Sequence, residues 1–303
     1  MTAIRLIVNA DDFGMTRGIT DGICTAHERG FLTSASLMPN MPAAEYAVAR
    51  LANIHTLAVG VHLNICQGRP ILRPCEVRSL VDSHGFFHAP RAMARKLWRW
   101  QISGREIEAE FREQIRWLKY RGIAPTHADS HHHMHIYPAA LKPFARALAA
   151  EGIHRARAPR CNQWPPTGHI GGPHAGGIVR KLFVQGYRAA VQFAVLGEIQ
   201  SPDGRVAFAA RHRANGVTIE FRWKSMLENL PPGTFEFACH PGLSGQDSLG
   251  GDALVSQRER ELRCLMDPEL RKIIDRREIQ LITYEELSAP GITHRAPSEA
   301  VRA

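Results

Sequence analysis

The sequence predicts an α/β fold in which parallel strands are joined by crossover helices and present their functional groups at the strand ends. Three observations predict it. Hydrophobic periodicity in the first part of the chain alternates strand, helix, strand, helix, strand. Acidic, imidazole or guanidinium side chains fall at the C-terminal ends of these apolar strands. The chain has 303 residues, 44% of them hydrophobic, enough for one large core or a single barrel.

Ile4 to Ala10 is a buried apolar strand that delivers Asp11-Asp12-Phe13-Gly14, with Gly14 permitting a sharp turn. Gly18 to Arg29 carries Ile19, Ile23 and Ala26 at helical spacing and stops at Gly30. Leu32 to Met38 is a second strand, Ala43 to Leu51 a helix, and Leu57 to Leu63 a third strand whose exit holds His62 and Asn64. From residue 64 to about 100 the spacing of Gly68, Pro70, Pro74, Gly85 and Pro90 predicts an insertion that walls the mouth of the fold. Ser103 with Glu106 is a capping-box signature, and Ile107, Phe111, Ile115 and Leu118 on one stripe make Gly104 to Tyr120 a helix.

Pro138 opens the next helix, which runs to Gly152. Ile153 to Ala158 is a strand ending in Arg157-Ala158-Pro159-Arg160. Residues 161–177 are a loop rich in Gly and Pro, and Phe183, Tyr187, Val191 and Val195 predict a helix over Lys181 to Leu196. Thr234 to Cys239 is a late strand with His240-Pro241-Gly242 at its tip. Ser256 and Glu259 suggest a second capping box before a helix that Pro268 ends or offsets. Ile279 to Thr283 is a last strand, Tyr284 to Leu287 a short helix, and 289–303 a fraying tail. No repeat or composition change divides the chain, so 1–288 is expected to be one domain with insertions near 64–100 and 160–196.

No apolar run is long enough to span a membrane as a helix. Met1 leads directly into Ile4 to Val8 with no basic region or cleavage site, so a cytoplasmic location is expected. The cysteines at 24, 66, 75, 161, 239 and 264 form no CxxC pair and fit core or loop positions in a reducing compartment. The net charge of +9 comes without a nucleic-acid reading motif or an aromatic-interleaved basic stripe, so no nucleic-acid partner is expected. HExxH, a nucleophile elbow and a phosphate loop are all missing.

The chemistry concentrates in Thr126-His127-Ala128-Asp129-Ser130-His131-His132-His133-Met134-His135. If this run starts as a strand, His127, Asp129 and His131 share one side. Asp11, Asp12, His62, His131, Arg157 and His240 all fall at strand ends, which parallel strands gather on one face. Each has a plainer use: a cap for the aspartates, a loop histidine for His62, a turn for His240-Pro241-Gly242, surface charge for Arg157 and Arg160. Together, one carboxylate and two imidazoles make a three-ligand metal site that leaves a position for water. A second carboxylate can accept the water's proton and a further imidazole can protonate the leaving group, which is hydrolysis of an amide or ester.

On these residues the chain resembles the YdjC-like carbohydrate deacetylases, the family that includes chitooligosaccharide deacetylase. The matching stretches are Leu6-Ile7-Val8-Asn9-Ala10-Asp11-Asp12-Phe13-Gly14, Gly60-Val61-His62-Leu63, the run from Pro125 to His135, and Cys239-His240-Pro241-Gly242. The resemblance implies a distorted (β/α) TIM-like barrel with one divalent metal ion, Mg2+ or Zn2+, removing the N-acetyl group of an amino sugar as acetate. It implies Asp12, His62 and His131 as metal ligands, Asp11 as general base, His240 as general acid and Arg157 as a strand-end arginine near the site. His127, Asp129, His133 and His135 are then groups that orient the ligands or face the substrate.

Lys96-Leu97-Trp98-Arg99-Trp100-Gln101 and the stretch from Cys161 to Leu196 are similar to the hopanoid-biosynthesis-associated (HpnK) branch. That narrower likeness implies an N-acetylglucosaminyl glycolipid substrate and contact with the inner membrane face. The same residues would equally serve internal packing or a homodimer interface. Rival readings are a hydrolase or isomerase acting on another sugar or small amide, and a metal-dependent sugar-binding protein without turnover.

Overall fold

The structure is a computed structural model and describes residues 3–157, 163–164, 199–206, 218–243 and 254–287. Arg160, the helix expected over Lys181 to Leu196 and the tail 289–303 lie outside the described residues, as does the loop 161–177 except for residues 163–164. In chain order the elements are β1 (Ile4–Phe13), α1 (Arg17–Arg29), β2 (Ser34–Leu37), α2 (Ala44–Leu51), β3 (Ala58–Leu63), α3 (Pro90–Trp98), α4 (Gly104–Lys119), β4 (Ala128–Ser130) and α5 (Pro138–Ala150). They continue with β5 (Gln163–Trp164), β6 (Gly204–Val206), α6 (Ile219–Asn229), β7 (Gly233–Cys239), α7 (Val255–Leu265), α8 (Pro268–Arg276) and β8 (Gln280–Ile282).

Every pair among these strands is parallel, in the order β4-β3-β2-β1-β7-β6-β5, with β8 also paired to β1. Single parallel bridges carry the pairing from Ala128 to Ala156 and from Arg155 to Gln200, just upstream of β6. The sheet therefore curls back on itself, giving the distorted (β/α) barrel expected from the sequence. Of the strand expected over Ile153 to Ala158, residues 153–157 take part only in these bridges, and Ala158 lies outside the described residues.

Alternation along β1 decides what the barrel contains. Leu6, Val8 and Ala10 join the large core between sheet and helices. Ile7 packs on the opposite side with Ile282, Tyr284 and Leu287, forming a small apolar floor inside the curl. Asn9 and Asp11 follow Ile7 on that inner side. On β2 and β3, Ala35, Leu37, Val59, Val61 and Leu63 enter the outer core, leaving Ser34, Ser36, Gly60 and His62 for the interior. Gly60 is needed because a Cβ there would lie 2.4 Å from the His127 ring. That ring instead lies flat on Tyr284, with centroids 3.9 Å apart and planes 8° from parallel.

The helix expected from Gly104 buries Ile107, Phe111, Ile115 and Leu118 as its spacing requires. Its cap is only half of the expected box: Ser103 accepts from Glu106 N, but the Glu106 carboxylate takes Ser79 N and Oγ at 2.7 and 2.8 Å. The second expected box is not formed, since α7 starts at Val255 with no side-chain cap and Ser256 sits inside its first turn. Pro268 offsets the helices by opening α8 behind an Asp267 cap. No described helix is long and apolar enough to cross a membrane.

α4 also fastens the segment that follows β3. Buried Glu110 accepts from Ile71 N at 2.9 Å and Leu72 N at 3.1 Å, and Gln114 Nε2 bridges Glu110 and the Asn64 carbonyl. Burial pushes the Glu110 carboxyl up to about 7 against these hydrogen bonds. A raised carboxyl binds its proton more tightly in the fold than in the open chain, so its contribution falls as pH rises from about 4.5 through 7, by on the order of 3 kcal/mol. Glu110→Gln is expected to flatten the loss of stability between pH 5 and pH 8. Urea denaturation of both proteins checks it, and an identical pH slope in the variant would rule Glu110 out as the cause.

Candidate active site

Asp11 and Asp12 do not lie beyond β1 but in its last turn of pleat, where the pairing with β2 is irregular. Asp12 has φ 67°, a left-handed conformation that Asp tolerates better than most residues. Asp12 O accepts from Met15 N, and Gly14 at φ 85° completes the turn into α1. After β4 the chain folds sharply through His132 and His133, both left-handed at φ 52° and 54°. This turn sets His131 beside Asp12 and swings His133 to Arg205, whose Nη1 lies 2.8 Å from His133 Nε2.

Asp12, His62 and His131 meet: one donor atom from each lies within 4.8 Å of the other two. Asp12 Oδ1 is 3.0 Å from His131 Nδ1 and 3.6 Å from His62 Nε2. The far nitrogens are already engaged by oxygens, His62 Nδ1 by Asp129 Oδ1 at 2.7 Å and His131 Nε2 by Gln67 Oε1 at 2.9 Å. An acceptor on the far side of each ring fixes its orientation and directs the other nitrogen towards Asp12, where an ion could take its lone pair once any proton there is displaced. This donor set could bind a divalent metal, and its chemistry fits one. Its two nitrogens and one oxygen suit zinc or a neighbouring transition ion better than the all-oxygen shell magnesium prefers.

A second grouping, Asp11, His62 and Asp129, also satisfies the distance requirement. It already holds a cation. Arg157 donates to Asp11 through Nη1 and Nη2 at 2.8 and 2.7 Å, and its guanidinium is 2.9 Å from Asp129 Oδ2 and 2.6 Å from Glu236 Oε1. Asn9 Nδ2 donates to both Asp11 Oδ1 and Ser36 Oγ, and Ser36 Oγ donates to Asp129 Oδ2. All of these side chains are buried in the barrel interior.

The charges shift accordingly. Burial raises the Asp11 and Asp129 carboxyls, but the Arg157 charge outweighs it and holds both below the ordinary carboxylate range. Asp12 is also held well below, burial being overcome by His131 and Arg258. Burial disfavours a protonated His62, yet Asp129 brings it up to about 9, so a metal must displace a proton there. Glu236 is raised by burial and by the neighbouring Asp11 and Asp129 charges. Burial drives His127 and His135 down to about 3, leaving both neutral.

His240 stands at the more open side, 30% exposed, with Nε2 3.9 Å from Asp11 Oδ2. Asp129 touches His62 directly, whereas His127 bonds Ser36 Oγ, which in turn donates to Asp129. His133 faces Arg205, and His135 bonds Ser130 Oγ and stacks on Phe144, so among the described contacts neither touches Asp12, His62 or His131. The turn at His132 and His133 thus separates the later histidines of the run from the three donors.

Sequence reasoning missed Asn9, Ser36, Gln67, Glu236, Arg258 and Glu261. Asn9, Ser36 and Glu236 had a signal, a polar residue at an inward position of an apolar strand. Arg258 and Glu261 had none in the charged stretch Arg258-Glu259-Arg260-Glu261.

Residues 5–276 match the family model described as YdjC-like protein. The chain is 34% identical to a carbohydrate deacetylase of Geobacillus stearothermophilus over 284 residues, covering 92% of this chain and 96% of that protein. It is 31% identical to a carbohydrate deacetylase of Brevibacillus brevis, covering 94% and 100% of the two chains. A crystal structure of an Enterococcus faecalis protein proposed to cleave cellobiose phosphate superposes with a TM-score of 0.73 at 25% identity, covering 94% of this chain and 98% of that one.

Proposed function

The chain belongs to the YdjC-like family, and from that premise we propose that it is a metal-dependent carbohydrate deacetylase, hydrolysing the N-acetyl group of an amino sugar to acetate and free amine. The observation that carries the reading is the pair of imidazoles whose far nitrogens are taken by Asp129 and Gln67, so that both near nitrogens converge on Asp12. Asp12, His62 and His131 would hold the ion. When bound, it lowers the pKa of water and polarises the amide carbonyl.

The remaining work falls to the chain's own groups. Asp11 takes a proton from the attacking water as its oxygen joins the acetyl carbon. Arg157 keeps Asp11 ionised and fixed, at the expense of basicity. His240, across from Asp11, delivers a proton to the sugar nitrogen as the carbon–nitrogen bond breaks and acetate leaves. Residues 1–288 would act as one catalytic domain, and zinc is the better-matched ion. A lipid-linked sugar, such as an N-acetylglucosaminyl hopanoid, is supported by Trp100, 61% exposed, next to exposed Arg95 and Arg99 at the end of α3.

His131→Ala is expected to lower zinc content at least tenfold and acetate release with it, since it removes one of three donors. Elemental analysis of purified protein and an acetate assay on N-acetylated sugars measure both. Full metal content with full activity would remove His131 from the site. Metal and sugar binding without acetate release would favour a binding protein instead.

A further inference from the structure

Two buried charged residues on α7, Arg258 and Glu261, reach two different groups of the centre. Arg258, 3% exposed, donates from Nη2 to Asp12 Oδ2 at 2.7 Å, while Asp12 Oδ1 faces the two imidazoles. Glu261, 5% exposed, accepts the backbone N–H of His240 through Oε2, which also lies 3.9 Å from His240 Nδ1. Spaced three residues apart, they lie on one face of the helix. The strand tip between them has little room to shift: a Cβ on Gly22 of α1 would sit 2.5 Å from Gly242 Cα, and one on Gly242 would sit 3.2 Å from Arg258 Cδ.

We infer that α7 is a two-point clamp in which Arg258 and Glu261 are positioning residues, the first restricting Asp12 to a single donor oxygen and the second fixing the tip that carries His240. The inference rests on the proposed metal-dependent reading of Asp12, His62 and His131. A carboxylate with both oxygens available can chelate an ion and fill the position that water needs. A guanidinium next to the ion repels it, so Arg258 weakens metal binding while it preserves the open geometry.

This gives the test a sign that simple structural damage would not produce. In Arg258→Met, zinc titrated alone by calorimetry is expected to bind as tightly as to the wild type or severalfold more tightly, while kcat falls about 10- to 100-fold. Arg258→Lys should restore part of kcat by returning a charge to Asp12 Oδ2. Glu261→Ala should lower kcat about tenfold with zinc affinity unchanged. Joint loss of zinc affinity and kcat in Arg258→Met, with native circular dichroism, would overturn the clamp, as would unchanged kcat in both variants. Wild-type protein that bound no divalent ion would overturn the proposed function itself, and the clamp with it.

Discussion

Arg157→Met is expected to destabilise the protein by about 3–5 kcal/mol or prevent it from folding at neutral pH, because it strands buried carboxylates without their cation. Arg157 is 1% exposed and touches Asp11, Asp129 and Glu236, none of them more than 4% exposed. In the native protein the depressed Asp11 and Asp129 carboxyls contribute stability above the ordinary carboxylate pKa, and that stability is lost as pH falls through their folded values. Without Arg157 burial dominates and both carboxyls rise, which reverses the sign. The variant should regain part of its stability on moving from pH 8 to pH 5. Urea denaturation at the two pH values reads this directly, and a loss below about 1 kcal/mol at pH 8 would show that the network does not depend on Arg157. Arg157→Lys should fall well short of rescue, since an ammonium cannot reproduce the paired donors that meet both oxygens of Asp11.

Asp11→Asn should lower acetate release by about 10²- to 10⁴-fold, the usual contribution of a positioned general base. Zinc content should stay near that of the wild type, because Asp12, His62 and His131 are untouched and both oxygens of Asp11, although near His62, are taken by Arg157. An asparagine amide next to Arg157 also loses an accepting oxygen, so a stability loss of about 1–3 kcal/mol should accompany the change. Activity measured well below the melting transition separates the two effects. Near-normal turnover would remove Asp11 as the proton acceptor, and loss of zinc would mean that Asp11 belongs among the ligands.

Most of the barrel's first half could be read from sequence. β1, β2 and β3 are short apolar runs separated by helices with clear stop signals such as Gly30. β6, α3 and α6 were not anticipated: β6 is only Gly204 to Val206, too short for alternation to register, and Pro90 obscured the start of α3. The S-x-x-E pattern misled at Ser256 because it records which residues can cap, not where the helix begins. At Ser103 it located the N-terminus correctly, but Ser79, distant in sequence, took the Glu106 carboxylate.

By itself the sequence determined the strand-helix order, the parallel sheet and the residues whose strand-end positions mark them for chemistry, because periodicity and local motifs depend on neighbours along the chain. The tertiary structure alone decided that Asp12 and His131 converge with His62 while His133 and His135 turn elsewhere, and that Asp11 is held by Arg157. It alone brought Gln67, Glu236, Arg258 and Glu261 to the centre. These are contacts between charged or polar groups far apart in sequence, and their energies depend on distance and burial, which only the closed barrel sets.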